Sequence, residues 1–238
     1  MGLWRKIGDL LYPKGLTCNA CGKELFDPER KYALCKECAA KVFDAGGRYF
    51  GERYRREIPI DGGEKLVVRA CFRYEFFVRD YVIDYKDADK TYLCHYMALH
   101  LSELYTRLGV RADAVTYVPT SPKNRKRRGY DGMRIVAREF GETVGLPLRD
   151  DLFRLDGVDQ SKVAPENRKN NVKNVFLCRN QQTGAVLLLD DVSTTGATVE
   201  ECARSLLSHG AAKVVVLTFA LAGDRKDVVS DEAEDTPR

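Results

Sequence analysis

An open α/β domain built on parallel strands, with a small four-cysteine module ahead of it, is the fold class that this 238-residue chain predicts. Three observations lead there. Short apolar runs of strand composition occur at Asp113 to Pro119, Ala185 to Leu189 and Val214 to Phe219. Segments of helical spacing, Arg134 to Val144 and Val199 to Leu207, alternate with them, and that alternation implies right-handed βαβ units. Two Cys-x2-Cys pairs, at Cys18 and Cys21 and at Cys35 and Cys38, stand outside the pattern. A chain of this length can bury one α/β core of ordinary size and carry one small appended unit.

Taken in order, Leu3, Trp4, Ile7, Leu10 and Leu11 fall at helical spacing before Pro13, which predicts a short amphipathic helix. The cysteines follow. Each pair offers two thiolates on a tight turn, and thirteen residues separate the pairs, the spacing of a structural four-sulfur zinc site. A rubredoxin-like iron site and a redox pair are the alternatives for the same residues. A closed site leaves no position for substrate, and for so small a unit metal binding supplies much of the folding free energy. Asp44 to Gly63, rich in glycine and charge, reads as a connector. Residues 1–45 are therefore expected to form an N-terminal helix and cysteine module, 64–222 the α/β domain, and 223–238 a disordered acidic tail.

Within the main domain, Leu66 to Tyr74 alternates as a strand, and Glu75 to Lys86 and Thr91 to Leu108 read as helices. On the second helix Leu93, Met97, Leu101, Leu104 and Leu108 mark a core stripe. His95 and His100, five apart, do not share a helical face and read as hydrogen-bonded or solvated rather than as ligands. Cys71, Cys94, Cys178 and Cys202 stand singly among apolar residues and are expected to be buried. Asp113 to Pro119 is expected to open the parallel sheet, followed by a turn at Thr120-Ser121-Pro122 and a basic loop, Lys123 to Arg128, with five cations in six residues. That loop suits a phosphoryl-rich ligand, a nucleic-acid backbone, or solvent alone.

The most informative stretch is Ala185 to Thr198, AVLLLDDVSTTGAT: an apolar strand ending in two carboxylates, then a hydroxyl- and glycine-rich turn opening a helix. The first amides of a helix lack intrahelical partners and, with the helix dipole, face any phosphate placed there. Gly196 permits close backbone approach. Asp190 and Asp191 add acceptors for vicinal hydroxyls, which a phosphate loop alone does not require, so the combination points to a ribose phosphate. In open α/β sheets ligands bind beyond the carboxyl ends of the strands, where this loop and Thr120 would share one cleft.

The run Asp190-Asp191-Val192-Ser193-Thr194-Thr195-Gly196-Ala197-Thr198 resembles the phosphoribosyl pyrophosphate (PRPP) signature of type I phosphoribosyltransferases. Val118-Pro119 with Arg128-Gly129-Tyr130-Asp131, and Gln160, Arg168, Asn171 and Phe176, are similar to segments of the ComF branch, with Asp131 where asparagine is usual. The similarity runs from about residue 8 to about residue 222. It implies a type I phosphoribosyltransferase-like sheet with helices on both faces. It also implies PRPP held by Asp190, Asp191 and the Ser193 to Thr198 loop, with Asp190 and Asp191 as the catalytic pair. Pyrophosphate would lie at Thr120, Ser121, Lys123, Arg127 and Arg128, Mg²⁺ would accompany it, and a lid would carry Gln160, Arg168 and Asn171. The reaction implied is transfer of phosphoribosyl to an unidentified nitrogen acceptor, whose pocket would be built around Phe72 to Lys86 and the N-terminal module. Thr194 stands where purine-salvage relatives often carry a carboxylate, which disfavours hypoxanthine and guanine as acceptors. The family's link to DNA uptake in competent bacteria implies the alternative: a non-catalytic PRPP-binding protein, or one that handles single-stranded DNA or competence proteins.

The net charge of +4 is modest and makes no global case for nucleic acid. No run reaches the length of a membrane span, no secretory signal is read ahead of the cysteines, and Lys6 stands where myristoylation wants Ser or Thr, so the cytoplasm is the expected location. The oligomeric state is unread, with a dimer among the arrangements allowed.

Overall fold

The computed structural model describes residues 17–25, 32–40, 54–60, 64–87, 90–155 and 175–223. The expected N-terminal helix, most of the connector and the tail lie outside these residues, as do Gln160, Arg168 and Asn171. The elements are α1 (Lys36–Ala39), β1 (Tyr54–Pro59), β2 (Lys65–Arg73), α2 (Phe76–Asp87), α3 (Tyr92–Leu108), β3 (Ala114–Tyr117), α4 (Pro122–Arg128), α5 (Gly132–Val144), β4 (Leu152–Arg154), β5 (Phe176–Cys178), β6 (Ala185–Ser193), α6 (Ala197–Ser208) and β7 (Lys213–Leu221).

Five strands form one sheet in the order β1-β2-β7-β6-β3, with β2, β7, β6 and β3 parallel and β1 antiparallel at one edge. β4 and β5 make a separate antiparallel pair. β7 is the central strand, and beside it the run Val186 to Leu189 of β6 is completely buried, as a strand covered on both faces must be. The expectation that Asp113 to Pro119 opens the parallel sheet is corrected. β2 comes first and pairs in parallel with β7, while β3 is the far edge strand. β6 also runs past Leu189 to Ser193, because β7 continues beside it to Leu221 and keeps its ladder bonded.

Two hydrophobic clusters cover the two faces. On one, Leu187, Leu189, Leu217 and Phe219 pack against α2, α3 and α5 and against the cysteine segment through Leu25, Leu34 and Cys38. On the other, Val186, Leu188 and Val216 pack against Val199, Cys202, Ala203 and Leu206 of α6 and against β4 and β5. The helices form where spacing and caps agree. α5 buries Met133, Val136, Ala137 and Phe140, starts at Asp131, whose carboxylate accepts from the Arg134 amide at 3.4 Å, and ends at Gly145 with φ 78°. α3 buries Leu93, Met97, Leu101 and Leu104 and ends at Gly109 with φ 59°.

The expected basic loop is a helix. Ser121 caps it, its hydroxyl accepting from the Asn124 amide at 3.3 Å, Pro122 occupies the first turn, and Gly129 at φ 80° ends it. No residue of α4 is fully buried, and these local signals define its ends. The four single cysteines, Cys71, Cys94, Cys178 and Cys202, are all buried, and burial pushes the Cys94 thiol up to about 12.

Candidate functional site

The carboxyl ends of β6 and β3 lie side by side, since the Val118 amide donates to the Leu189 carbonyl at 2.9 Å. From that edge Asp190 and Asp191 emerge one after the other. Asp190 is 7% exposed, and its Oδ1 accepts from the Asp191 amide at 2.9 Å. Burial, and then the neighbouring charge of Asp191, hold its carboxyl well above the usual range, with Lys86 opposing. Asp191 is more open and meets the Lys86 ammonium, Nζ to Oδ1 2.8 Å. The adjacent carboxyls therefore differ: Asp190 is driven toward the neutral acid, and Asp191 is an ion-paired carboxylate. Together they present carboxyl oxygens that can accept from the hydroxyls of a vicinal diol.

The chain then turns through exposed Thr194 and Thr195 to buried Gly196, which caps α6 at φ 88°. The positive φ requires glycine there, and a Cβ would stand 2.2 Å from Ile58 Cδ1 and displace the tip of that side chain. The Ala197 amide reaches the Thr195 hydroxyl at 3.3 Å, and Thr198 follows in the first turn of α6. Ser193, 3% exposed, has a hydroxyl with no hydrogen-bond partner among the described residues.

Across the edge, Thr120 gives both its amide (3.0 Å) and its hydroxyl (3.1 Å) to the Asp131 carboxylate. Asp131 thus ties the β3 loop to the start of α5, and a carboxylate serves where the loop supplies only donors. Ser121 is committed to its cap, Lys123 and Arg127 are exposed on α4, and Arg128 is half-buried. The sheet edge brings Asp190, Asp191, Ser193, Gly196, Thr120 and Ser121 to one end of the strands. A groove of about 470 Å³ between the ends of α3 and α5 lies elsewhere, lined by Leu99, Ser102, Tyr105, Thr106 and Arg111. The Ser102 and Thr106 hydroxyls there donate to carbonyls of their own helix.

Lys86 is the residue at this edge that sequence reasoning passed over. It sits in the last turn of α2, where a cation suits the helix dipole, and a single lysine there carries no motif. Its neighbour Tyr85 is 2% exposed, and a Cβ on Gly132 would stand 2.3 Å from the Tyr85 hydroxyl. Tyr130 donates to the Tyr85 carbonyl at 3.1 Å. Burial first, then Asp191, Cys94 and Asp131, push the Tyr85 phenol up.

At the cysteine module, the four Sγ atoms of Cys18, Cys21, Cys35 and Cys38 lie within 4.8 Å of one another, and Cys21 Sγ is 3.8 Å from Cys35 Sγ. A tetrahedron of zinc–sulfur bonds has edges of roughly 3.8 Å, so the set fits zinc. Burial opposes ionisation of Cys18, but the Cys35, Ala20 and Cys21 amides outweigh it and bring the thiol to about 7. Tyr32 docks this module on α3: its ring stacks on buried His100 with centroids 4.4 Å apart, and its hydroxyl donates to Glu103 at 3.3 Å. His95 bonds Glu139 at 2.9 Å, so both histidines serve packing and hydrogen bonding.

No family model matches the chain. DNA utilization protein YhgH of Salmonella typhi is 31% identical over 107 residues, 44% of this chain and 47% of that protein, so the chain spans about half the length of this relative. Competence protein ComFC of Bacillus subtilis is 23% identical over 207 residues, 84% of this chain and 75% of the relative. Competence protein F of Haemophilus influenzae is 22% identical over 236 residues, 90% and 94% of the two chains. Among solved structures, the orotate phosphoribosyltransferase of Aeropyrum pernix overlays at a TM-score of 0.36 with 16% identity, covering 75% of this chain and 85% of its own, a likeness too low to carry an argument. The molecule is a mixed α/β protein with a mostly parallel sheet and a four-cysteine cluster near its start. Along 84 to 90% of its length it is similar to the ComF-type competence proteins.

Proposed function

We propose that the chain is a PRPP-binding protein of ComF type that works in the handling of DNA taken up by the cell, and that it transfers phosphoribosyl to a nitrogen acceptor with release of pyrophosphate. One observation carries the reading: a buried strand delivers two adjacent, unlike carboxyls to the edge of a loop whose glycine caps a helix. The first amides of α6 would take the 5′-phosphate. Asp190 and Asp191 would hold the ribose hydroxyls and orient the ring as the C1–oxygen bond breaks and the C1–nitrogen bond forms. Ser121, Lys123, Arg127 and Arg128, beside Thr120, would face the departing pyrophosphate. Magnesium would arrive with the pyrophosphate it neutralises. Among the described residues the cysteines are the one group of three or more candidate metal ligands, and zinc there would serve structure. Residues 1–45 would be the metal module and 64–222 the PRPP domain.

The names of the relatives, and the five cations on α4, a helix with no buried residue, favour a second role in which that surface meets single-stranded DNA. Such binding falls steeply with salt, which separates it from small-molecule binding. The test of the main reading is thermal: PRPP in magnesium buffer at one hundred times its Kd should stabilise the fold by about 2.7 kcal/mol and raise the melting temperature. An unmoved melting curve at millimolar PRPP contradicts it.

A further inference from the structure

We propose that Lys86 is a positioning residue of the ribose-phosphate site, whose charge, delivered through its ion pair with Asp191, lets a polyanionic sugar phosphate bind beside two carboxyl groups. The inference rests on the PRPP reading above and deepens it. Its basis is geometric. Lys86 Nζ lies 2.8 Å from Asp191 Oδ1, with the lysine side chain 31% exposed and the aspartate 15%, so the pair borders the open edge of the sheet.

The lysine is held there through the residue before it. Tyr85 is buried against Gly132, and the Tyr130 hydroxyl bonds the Tyr85 carbonyl, which fastens the last turn of α2 to the turn that enters α5. These partners follow directly on α4 and include the residues next to Asp131, the anchor of Thr120. Lys86 therefore reaches the acidic pair from the side of the cleft that faces the β3 loop. A ligand bearing phosphates at both ends meets Coulomb repulsion from an uncompensated carboxylate, and a fixed ammonium on that carboxylate removes it. Asp191 retains its second oxygen for a sugar hydroxyl, since an ionised carboxylate accepts at about four lone-pair positions. Lysine suits this task as a compact point charge on a flexible stem.

The test is a calorimetric titration of the zinc-loaded chain with PRPP and, separately, with ribose 5-phosphate, in magnesium buffer. Wild type is compared with Lys86→Met, Lys86→Gln and Lys86→Arg. Glutamine keeps a hydrogen bond to Asp191 and loses the charge, whereas arginine keeps the charge. The expected result is a loss of PRPP affinity of at least about tenfold for Met and for Gln, a smaller loss for ribose 5-phosphate, and near wild-type affinity for Arg. Should Lys86→Met fail to fold, Lys86→Gln, with melting temperature and zinc content matching wild type, carries the comparison. Wild-type affinity in Lys86→Gln, or equal losses for both ligands, overturns the inference and leaves the PRPP reading standing. Absence of PRPP binding by wild type overturns the reading itself and the inference with it.

Discussion

Asp190 is a carboxyl buried on a strand end beside a second carboxyl, and that placement sets how stability depends on pH. Its folded pKa lies above its unfolded value, so between the two the native state binds more protons, and stability falls as pH rises through that window. Asp190→Asn removes the titration. In urea melts the variant should gain on wild type as pH rises from about 4 upward, and parallel stability curves would contradict the assignment. Gly196 makes a separable claim. Gly196→Ala meets Ile58 Cδ1 and also a left-handed backbone, and overpacking of this kind costs about 1–3 kcal/mol. Adding Ile58→Ala should recover the steric part and leave roughly 1 kcal/mol of conformational cost, readable as a double-mutant cycle.

At the scale of elements, what the sequence made legible was what local physics decides. The strand at Ala185, the helices at Thr91 and Arg134 and the strand at Leu66 all had period and caps, and they stand within a few residues of expectation. α4 was also legible, in Ser121, Pro122 and Gly129, but the density of charge between them read as a loop. The order of strands was hidden. Nothing local says that β2 pairs with β7 across 140 residues of chain or that β3 is an edge, because register and order are settled by which faces bury one another. Lys86 was hidden for the same reason: its partner lies 105 residues away. The cysteine module was plain from spacing, while its docking was not, since Tyr32 on His100 is a tertiary stack. Zinc removal by chelator, or Cys38→Ser, should loosen that stack. The expected signs are about one zinc per chain in wild type, loss of it in the variant, a lower melting temperature and faster amide exchange along the exposed side of α3. Unchanged exchange in the metal-free protein would show that the module's docking does not depend on metal.

Across the whole molecule, the two faces of one sheet have separate tasks. One carries α2, α3, α5 and the cysteine module, and it delivers Lys86 and Asp131 to the edge. The other carries α6 and the β4–β5 pair, where the Glu201 carboxylate of α6 accepts from the amides of Val175 and Phe176. The carboxylates of β6 stand where the two faces meet. Within the described residues no helix is long and apolar enough to cross a membrane. A working ribose-phosphate site at this edge binds PRPP, and calorimetric titration of the zinc-loaded chain with PRPP in magnesium buffer reads that binding directly. Saturable binding by wild type, abolished in Asp190→Asn/Asp191→Asn while the melting transition stays cooperative, is the predicted result; no heat of binding from the folded wild-type protein, or equal binding by the double variant, would contradict it.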